Sequence, residues 1–317
     1  VDPFQYARND QDTLWRKGNA AGHPFNKHKY EKNISSDLRT AKGIGLTNYY
    51  ENFRSFMQQR KDGQPFYFWY GATEPHRVYE KGSWKRNGKS LDQVDVPGFL
   101  PDSEEVRGDM LDYAVEIEWA DSHLSKMLEY LDSIGELNNT IVIVTADNGM
   151  PFPRAKANCF EYGVHVPFAV SYPKGFPGKR RVDDPISFVD IAPTILEIAG
   201  VKPDGMLPIS GRSFMNILKS KKEGIVDQSK KYVYMGRERH SSSRWQNLGY
   251  PQRAVRNQDY LLIWNLRPER WPAGAPQMLN KKTGELCPMY GIGEDGTFHP
   301  DWAFTDVDDA PSKTFLI

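Results

Sequence analysis

Three short segments carry side chains able to act on a charged oxygen group. The first, Thr145-Ala146-Asp147-Asn148-Gly149, directly follows the β-branched run at 141–144. A carboxylate beside a carboxamide puts two hard oxygen ligands on one turn, and Gly149 lets the backbone bend enough for both to converge, as Ca²⁺ or Mg²⁺ accepts. The same residues also read as a turn in which Asp147 and Asn148 bond their own backbone. The second segment, Gly71-Ala72-Thr73-Glu74-Pro75-His76-Arg77, follows the aromatic run at 66–70. An imidazole with a cation beside it suits an oxyanion, and His76 can hand a proton to a leaving oxygen. A solvated or capped histidine in a proline loop is the simpler account. The third segment follows the first: Pro151-Phe152-Pro153 stiffens the chain before Arg154 and Lys156. Two cations near a dication make sense where an anion bridges them, and a solvated basic loop is the alternative. His240, after Arg237-Glu238-Arg239, is a further candidate substrate contact, against a plain surface charge run.

The elements around these segments place them at one edge. LTNYYENFRSFMQQR (46–60) has helical spacing, and FYFWY (66–70), bounded by Gly63 and Gly71, reads as a buried strand. Ser103 opens a long helix whose apolar positions Val106, Met110, Tyr113, Ile117, Ala120, Leu124, Met127, Leu131 and Ile134 recur every three or four residues until Gly135. IVIV (141–144) has the texture of a strand covered on both faces, PFAVSYP (167–173) adds another strand, and DIAPTILEIAG (190–200) a helix capped by Asp190 and stopped by Gly200. Strand, helix, strand at these lengths predicts an α/β fold with a mostly parallel sheet sandwiched by helices, so the segments after 66–70 and 141–144 share the carboxyl rim of the sheet. Residues 1–45 read as a surface excursion. Beyond about 225 the texture changes: KYVYMG (231–236) and AVRNQDYLLIWNL (254–266) read as strands joined by an Asn-Gln-Asp turn. The expected division is 1–225 as an α/β catalytic unit and 226–317 as a smaller β-rich α+β subdomain, with neither unit complete.

Composition narrows the partners. The 317 residues carry 41 Lys+Arg against 41 Asp+Glu, a net charge of zero, so nothing supports nucleic-acid binding. No apolar run approaches the roughly 18 residues of a membrane span. The two cysteines, Cys159 and Cys287, lie in no metal-binding spacing. Asn33-Ile-Ser35 and Asn138-Asn-Thr140 fit the glycosylation acceptor pattern, a triplet common by chance.

Taken together, PFYFWYGATEPHR, LDSIGELNNTIVIVTADNG, CFEYGVHVPFAVSYP, SFVDIAPTILEIAGV and GRSF resemble the sulfatase family of the alkaline-phosphatase-like superfamily, over roughly residues 46–275. DNGMPFPRAK and EPHR look most like the N-sulfoglucosamine sulfohydrolase branch and its bacterial relatives. The resemblance implies a sulfuric ester or sulfamate hydrolase acting on sulfated sugars such as the N-sulfoglucosamine units of heparan-type glycans. It implies Asp147 and Asn148 as ligands of Ca²⁺, with Mg²⁺ open, and His76 and Lys156 as catalytic contacts to the sulfate. It also implies a secreted, periplasmic or lysosomal setting. Thr73 stands where many sulfatases have a first histidine, and Lys156 stands where the heparan N-sulfatase branch has Arg.

The family's nucleophile is a formylglycine made from the Cys or Ser of a C/S-x-P/A-x-R segment. Neither cysteine nor any serine here fits that pattern, so the resemblance places it, with the first pair of aspartate ligands, upstream of Val1. Weak or absent Ca²⁺ binding and no turnover are expected of these 317 residues alone. Two other readings compete: a phosphoryl or phosphonate ester hydrolase on the same scaffold, and a non-catalytic binder of sulfated glycans. The binder would use Arg244, Trp245, Tyr250 and Arg253, although such aromatics also suit a small domain's core.

Overall fold

The computed structural model describes residues 25–31, 41–238 and 250–268. Helix α1 (Tyr49–Gln58) begins where the Asn48 side chain accepts from the Glu51 N–H. Its buried Tyr49, Phe53 and Met57 pack on Met127 and Leu131 of the long helix α3 (Glu104–Ser133), which Ser103 caps. Between them comes a single turn, α2 (Ser83–Arg86), held by Asp112 of α3, whose carboxylate accepts from the Gly82 and Trp84 N–H groups and the Ser83 hydroxyl. Strand β1 (Val142–Thr145) follows α3, then the short α4 (Glu161–Val164), strand β2 (Phe168–Ser171), and helices α5 (Ile191–Ala199) and α6 (Met215–Lys219). α5 is stopped by Gly200, whose positive φ of 65° suits a residue without Cβ, whereas the Asp190 side chain does not cap the helix as expected, because its carboxylate is taken by Arg212 N–H and Lys230. A three-stranded sheet closes the described chain: β3 (Val233–Arg237), β4 (Gln252–Arg256) and β5 (Leu261–Asn265), the last two joined at Asn257.

The structure differs from the sequence expectations in four further places. Residues 66–70 are extended but hydrogen-bonded to no described strand. Phe66, Phe68 and Tyr70 pack on the α1–α3 layer while Tyr67 and Trp69 face outward, so the run is buried on one face only. The parallel ladder expected between 66–70 and 141–144 is therefore not formed among the described residues; β1 pairs antiparallel with β2, Val142 opposite Ser171, and leaves Ile143 and Val144 partly exposed. In α3 the buried face is not the apolar stripe alone. Asp109, Asp112, Glu116 and His123 are buried while Ile117 is exposed: Asp109 and Asp112 meet donors of the 77–84 segment and His123 the Tyr50 N–H of α1, none of which the helical period reveals, and Glu116 is buried with its Oε1 unpartnered among the described residues. Within 1–45, Ala41 and Ile44 are core residues against Val115 and Trp119, so that part is no surface excursion.

The β3–β4–β5 sheet is tied to the rest by polar contacts. Arg237 donates to Asn158 Oδ1 at 3.2 Å, and the Arg256 guanidinium grips Glu161 at 2.6 and 2.9 Å. No described helix is long and apolar enough to cross a membrane.

Candidate functional site

Two loops meet at the candidate site, each held by packing behind it. The 71–77 loop is pinned to α1: Thr73 N–H donates to the Tyr49 hydroxyl at 3.0 Å, and buried Glu74 accepts from that hydroxyl and from Gly45 N–H, both at 2.7 Å. The 146–158 loop is pinned to α3 and α4. Phe152, fully buried, packs with Leu100 and Val106. Gly149 N–H donates to Gly163 O at 3.0 Å, where the chains cross so closely that a Cβ on Gly149 would stand 1.8 Å from Tyr162 O. A Cβ on Gly163 would stand 2.2 Å from Ala155 O, so both glycines are required by close approach.

These supports bring His76 and Lys156 together. Lys156 N–H returns to Met150 O at 3.0 Å, folding the loop back, and Lys156 Nζ then lies 3.3 Å from His76 Nε2. His76 Nδ1 lies 2.8 Å from Arg77 O. A carbonyl only accepts, so Nδ1 carries the proton in the neutral ring and Nε2 presents a lone pair to the ammonium. Asp147 is exposed at the start of the same loop, with no hydrogen-bond or ion-pair partner among the described residues. Asn148 donates through Nδ2 to Gly149 O at 2.7 Å, which leaves its Oδ1 as the acceptor end.

Arg154 is half-buried with φ 61°, its guanidinium over the rings of Phe160 (4.9 Å) and Phe99 (5.7 Å). Arg77 is not the oxyanion-facing cation that its place beside His76 suggests. Its side chain is 4% exposed and paired with Asp109, because aromatic rings and a carboxylate surround it. Its pairing with a helix residue in a distant part of the chain left no local sequence signal. Cys159 is buried and burial pushes its thiol pKa up, which disfavours the thiolate, the nucleophilic form. His240, Cys287, Arg244 and Trp245 lie outside the described residues; Tyr250 is buried, as a core aromatic is.

The donor chemistry of Asp147 and Asn148 fits a hard divalent cation: one carboxylate without a partner among the described residues and one amide oxygen on the adjacent residue. They supply two ligands, and among the described residues no group of three or more His, Cys, Asp or Glu side chains converges.

Comparison with known proteins decides the family. The sulfatase family model matches residues 5–201, more than half of the chain, and the model for the C-terminal part of N-sulphoglucosamine sulphohydrolase matches 155–272. The chain belongs to the sulfatase family. It is 26% identical over 249 residues to an ulvan-active sulfatase of Formosa agariphila, covering 67% of this chain and 39% of that one. It is 27% identical over 245 residues to human N-sulphoglucosamine sulphohydrolase, covering 67% and 46%. The chain thus spans less than half the length of these relatives. A solved structure from the glycosaminoglycan-metabolism locus of Bacteroides thetaiotaomicron aligns at TM-score 0.51 and 20% identity, over 77% of this chain and 51% of that one. A sulfatase homologue of Bacteroides fragilis aligns at TM-score 0.51 and 18% identity, over 70% and 50%. Both show the alkaline-phosphatase-like fold expected from the sequence. Sulfatases generally use a formylglycine nucleophile and a divalent metal ion.

Proposed function

We propose that the full-length protein is a sulfatase that hydrolyses sulfate esters or sulfamates of sugars, N-sulfoglucosamine units of heparan-type glycans among them. The observation that carries this reading is the meeting of His76 Nε2 and Lys156 Nζ at 3.3 Å, on two loops remote in the chain, with Asp147 and Asn148 opening the second loop. The C-terminal family match over 155–272 supports the sulfamate branch.

In this reading Lys156 holds the sulfuryl oxygens, since an ammonium with an exposed imidazole as its neighbour can turn to an anion without abandoning a buried carboxylate. That turn frees the lone pair on His76 Nε2. Once protonated there, His76 gives the proton to the leaving oxygen or nitrogen as its bond to sulfur breaks, the bond pair going to the leaving atom. The Arg77 carbonyl keeps Nδ1 as a donor throughout, so the ring stays oriented while Nε2 changes state. Asp147 and Asn148 would hold a Ca²⁺ or Mg²⁺, which when bound supplies Lewis-acid polarisation of the sulfate and of the formylglycine nucleophile carried elsewhere in the full-length protein. Arg154, cradled by Phe99 and Phe160, is an additional anion contact on the substrate side. Residues 1–225 would carry the catalytic part and 226–317 the substrate-side subdomain, in a secreted, periplasmic or lysosomal protein.

The test is sulfate release by the full-length protein from N-sulfated and then O-sulfated glucosamine, with Asp147→Ala and His76→Ala alongside. Activity unchanged in both variants would remove these residues from the site.

A further inference from the structure

We propose that Arg77 is a positioning residue for His76: its clamped side chain fixes the main-chain carbonyl that holds the proton on His76 Nδ1 and turns Nε2 toward Lys156. The proposal rests on the reading of His76 as proton donor.

The contacts of Arg77 carry it. Arg77 Nη1 donates to Asp109 Oδ1 at 2.7 Å, and Nη2 reaches Asp109 Oδ2 to complete a two-pronged pair. Arg77 Nε points at Pro151 O at 3.4 Å. The guanidinium lies over Tyr79 at 4.5 Å and over Phe152 at 5.0 Å. One side chain therefore links three pieces: its own loop, helix α3 through Asp109, and the loop of Asn148 and Lys156 through Pro151 and Phe152. The side chains of Arg77 and Asp109 are 4% and 8% exposed, so the pair is shielded from water and its geometry is stiff. The same residue's carbonyl is the 2.8 Å partner of His76 Nδ1. Movement of the Arg77 main chain would release the imidazole to the other tautomer, with Nε2 protonated and repelled by Lys156 instead of accepting from it. Lysine cannot replace the arrangement, because an ammonium lacks the planar fork that reaches a carboxylate with two nitrogens and a carbonyl with a third.

The experiment uses the full-length protein labelled with ¹⁵N-histidine, the His76 signals being identified by their loss in His76→Gln. In the wild type at a pH where the ring is neutral, the proton is expected on Nδ1; a proton on Nε2 would overturn the proposal outright. In Arg77→Lys an Nε2-protonated signal is expected to appear, with kcat for sulfate release falling on the order of a hundredfold and KM staying within about twofold. A folded Arg77→Lys protein with wild-type His76 signals and kcat would overturn it. Arg77→Met with Asp109→Leu removes both charges of the buried pair together, so no lone charge is left inside. The same change in the His76 signals is expected there, and wild-type signals in that folded double variant would again overturn the proposal. Absence of sulfate release by the wild type would sink the proposed function while the imidazole signals still decide the role of Arg77.

Discussion

Lys156 Nζ stands 3.3 Å from His76 Nε2, although 80 residues separate them in the chain. In the proposed mechanism an ammonium that donates to an imidazole lone pair has no carboxylate to leave when a sulfate arrives, and its turning away would free that lone pair. Lys156→Met and His76→Gln are each expected to lower kcat of the full-length protein by about a hundredfold to a thousandfold, the loss typical of one donor to a developing charge. The double variant is expected to lose far less than the product of the two if, as proposed, both groups act on one sulfate. Multiplicative losses in steady-state sulfate release would show that they work separately.

The crossing of Gly149 over the 162–163 backbone fixes where the Asp147-Asn148 turn sits. A Cβ at 149 would lie 1.8 Å from Tyr162 O, a backbone atom that cannot swing aside as a side chain would. Gly149→Ala is therefore expected to destabilise the fold by about 1–3 kcal/mol or more, as forced overpacking does. Gly163→Ala is expected to act in the same direction. Calorimetric unfolding midpoints check both, and an unchanged midpoint in Gly149→Ala would contradict the close approach.

Local signals in the sequence reached far into this fold. Ser103 and Gly135 bound α3, and Gly200 stops α5, because caps and positive-φ glycines act on their own neighbours; Asp190 stands at the start of α5 without capping it, its carboxylate accepting from Arg212 N–H and Lys230 instead. The pairing of Asp109 with Arg77, and of Asp112 with the start of α2, was not legible. Helical periodicity records which face is apolar, whereas these carboxylates are buried because chain 28 to 32 residues away brings donors to them. The run at 66–70 was legible as extended but not as one-sided, since five consecutive aromatics hide the alternation that its packing shows. At the site, residue types gave His76, Lys156 and the Asp147-Asn148 turn as candidates. Arg77 looked like a ligand cation because nothing local marks an arginine whose partner is on another element.

Glu116 is 1% exposed, and its Oε1 has no hydrogen-bond partner among the described residues. Burial pushes its pKa up to about 8, with Glu74 adding, Arg77 opposing and Asp112 adding less. The folded state thus holds this proton more tightly than the unfolded chain, whose carboxyl titrates near its ordinary value of 4.5. Its contribution to stability is complete below pH 4.5 and is lost as pH rises toward 8. Each tenfold difference in proton affinity is worth about 1.4 kcal/mol, so the loss across that window amounts to several kcal/mol. Glu116→Gln keeps the shape and cannot ionise. Denaturant midpoints from pH 5 to 9 are expected to fall for the wild type and to stay nearly level for the variant; parallel curves would show that Glu116 does not ionise on this scale.

His123 is expected to act at the opposite end of the pH range. It is fully buried, ringed by Tyr49, Trp119 and Tyr30, and its Nδ1 accepts from the Tyr50 N–H at 3.2 Å in the first turn of α1. Burial lowers its pKa from 6.5 to about 4, with Lys126 lowering it further and Glu74 opposing. The folded state therefore binds the proton less readily than the unfolded chain. The contribution is present above pH 6.5 and is lost as pH falls through 4, because protonating Nδ1 breaks the bond to Tyr50. His123→Leu leaves that N–H unpaired at every pH, so at pH 7 the variant is expected to be less stable by about 1–3 kcal/mol. Below pH 6.5 only the wild type loses the His123 contribution, and the two unfolding curves are expected to converge near pH 4. A gap between wild type and variant that stays constant from pH 7 to pH 4 would mean that His123 takes up its proton as easily in the fold as out of it.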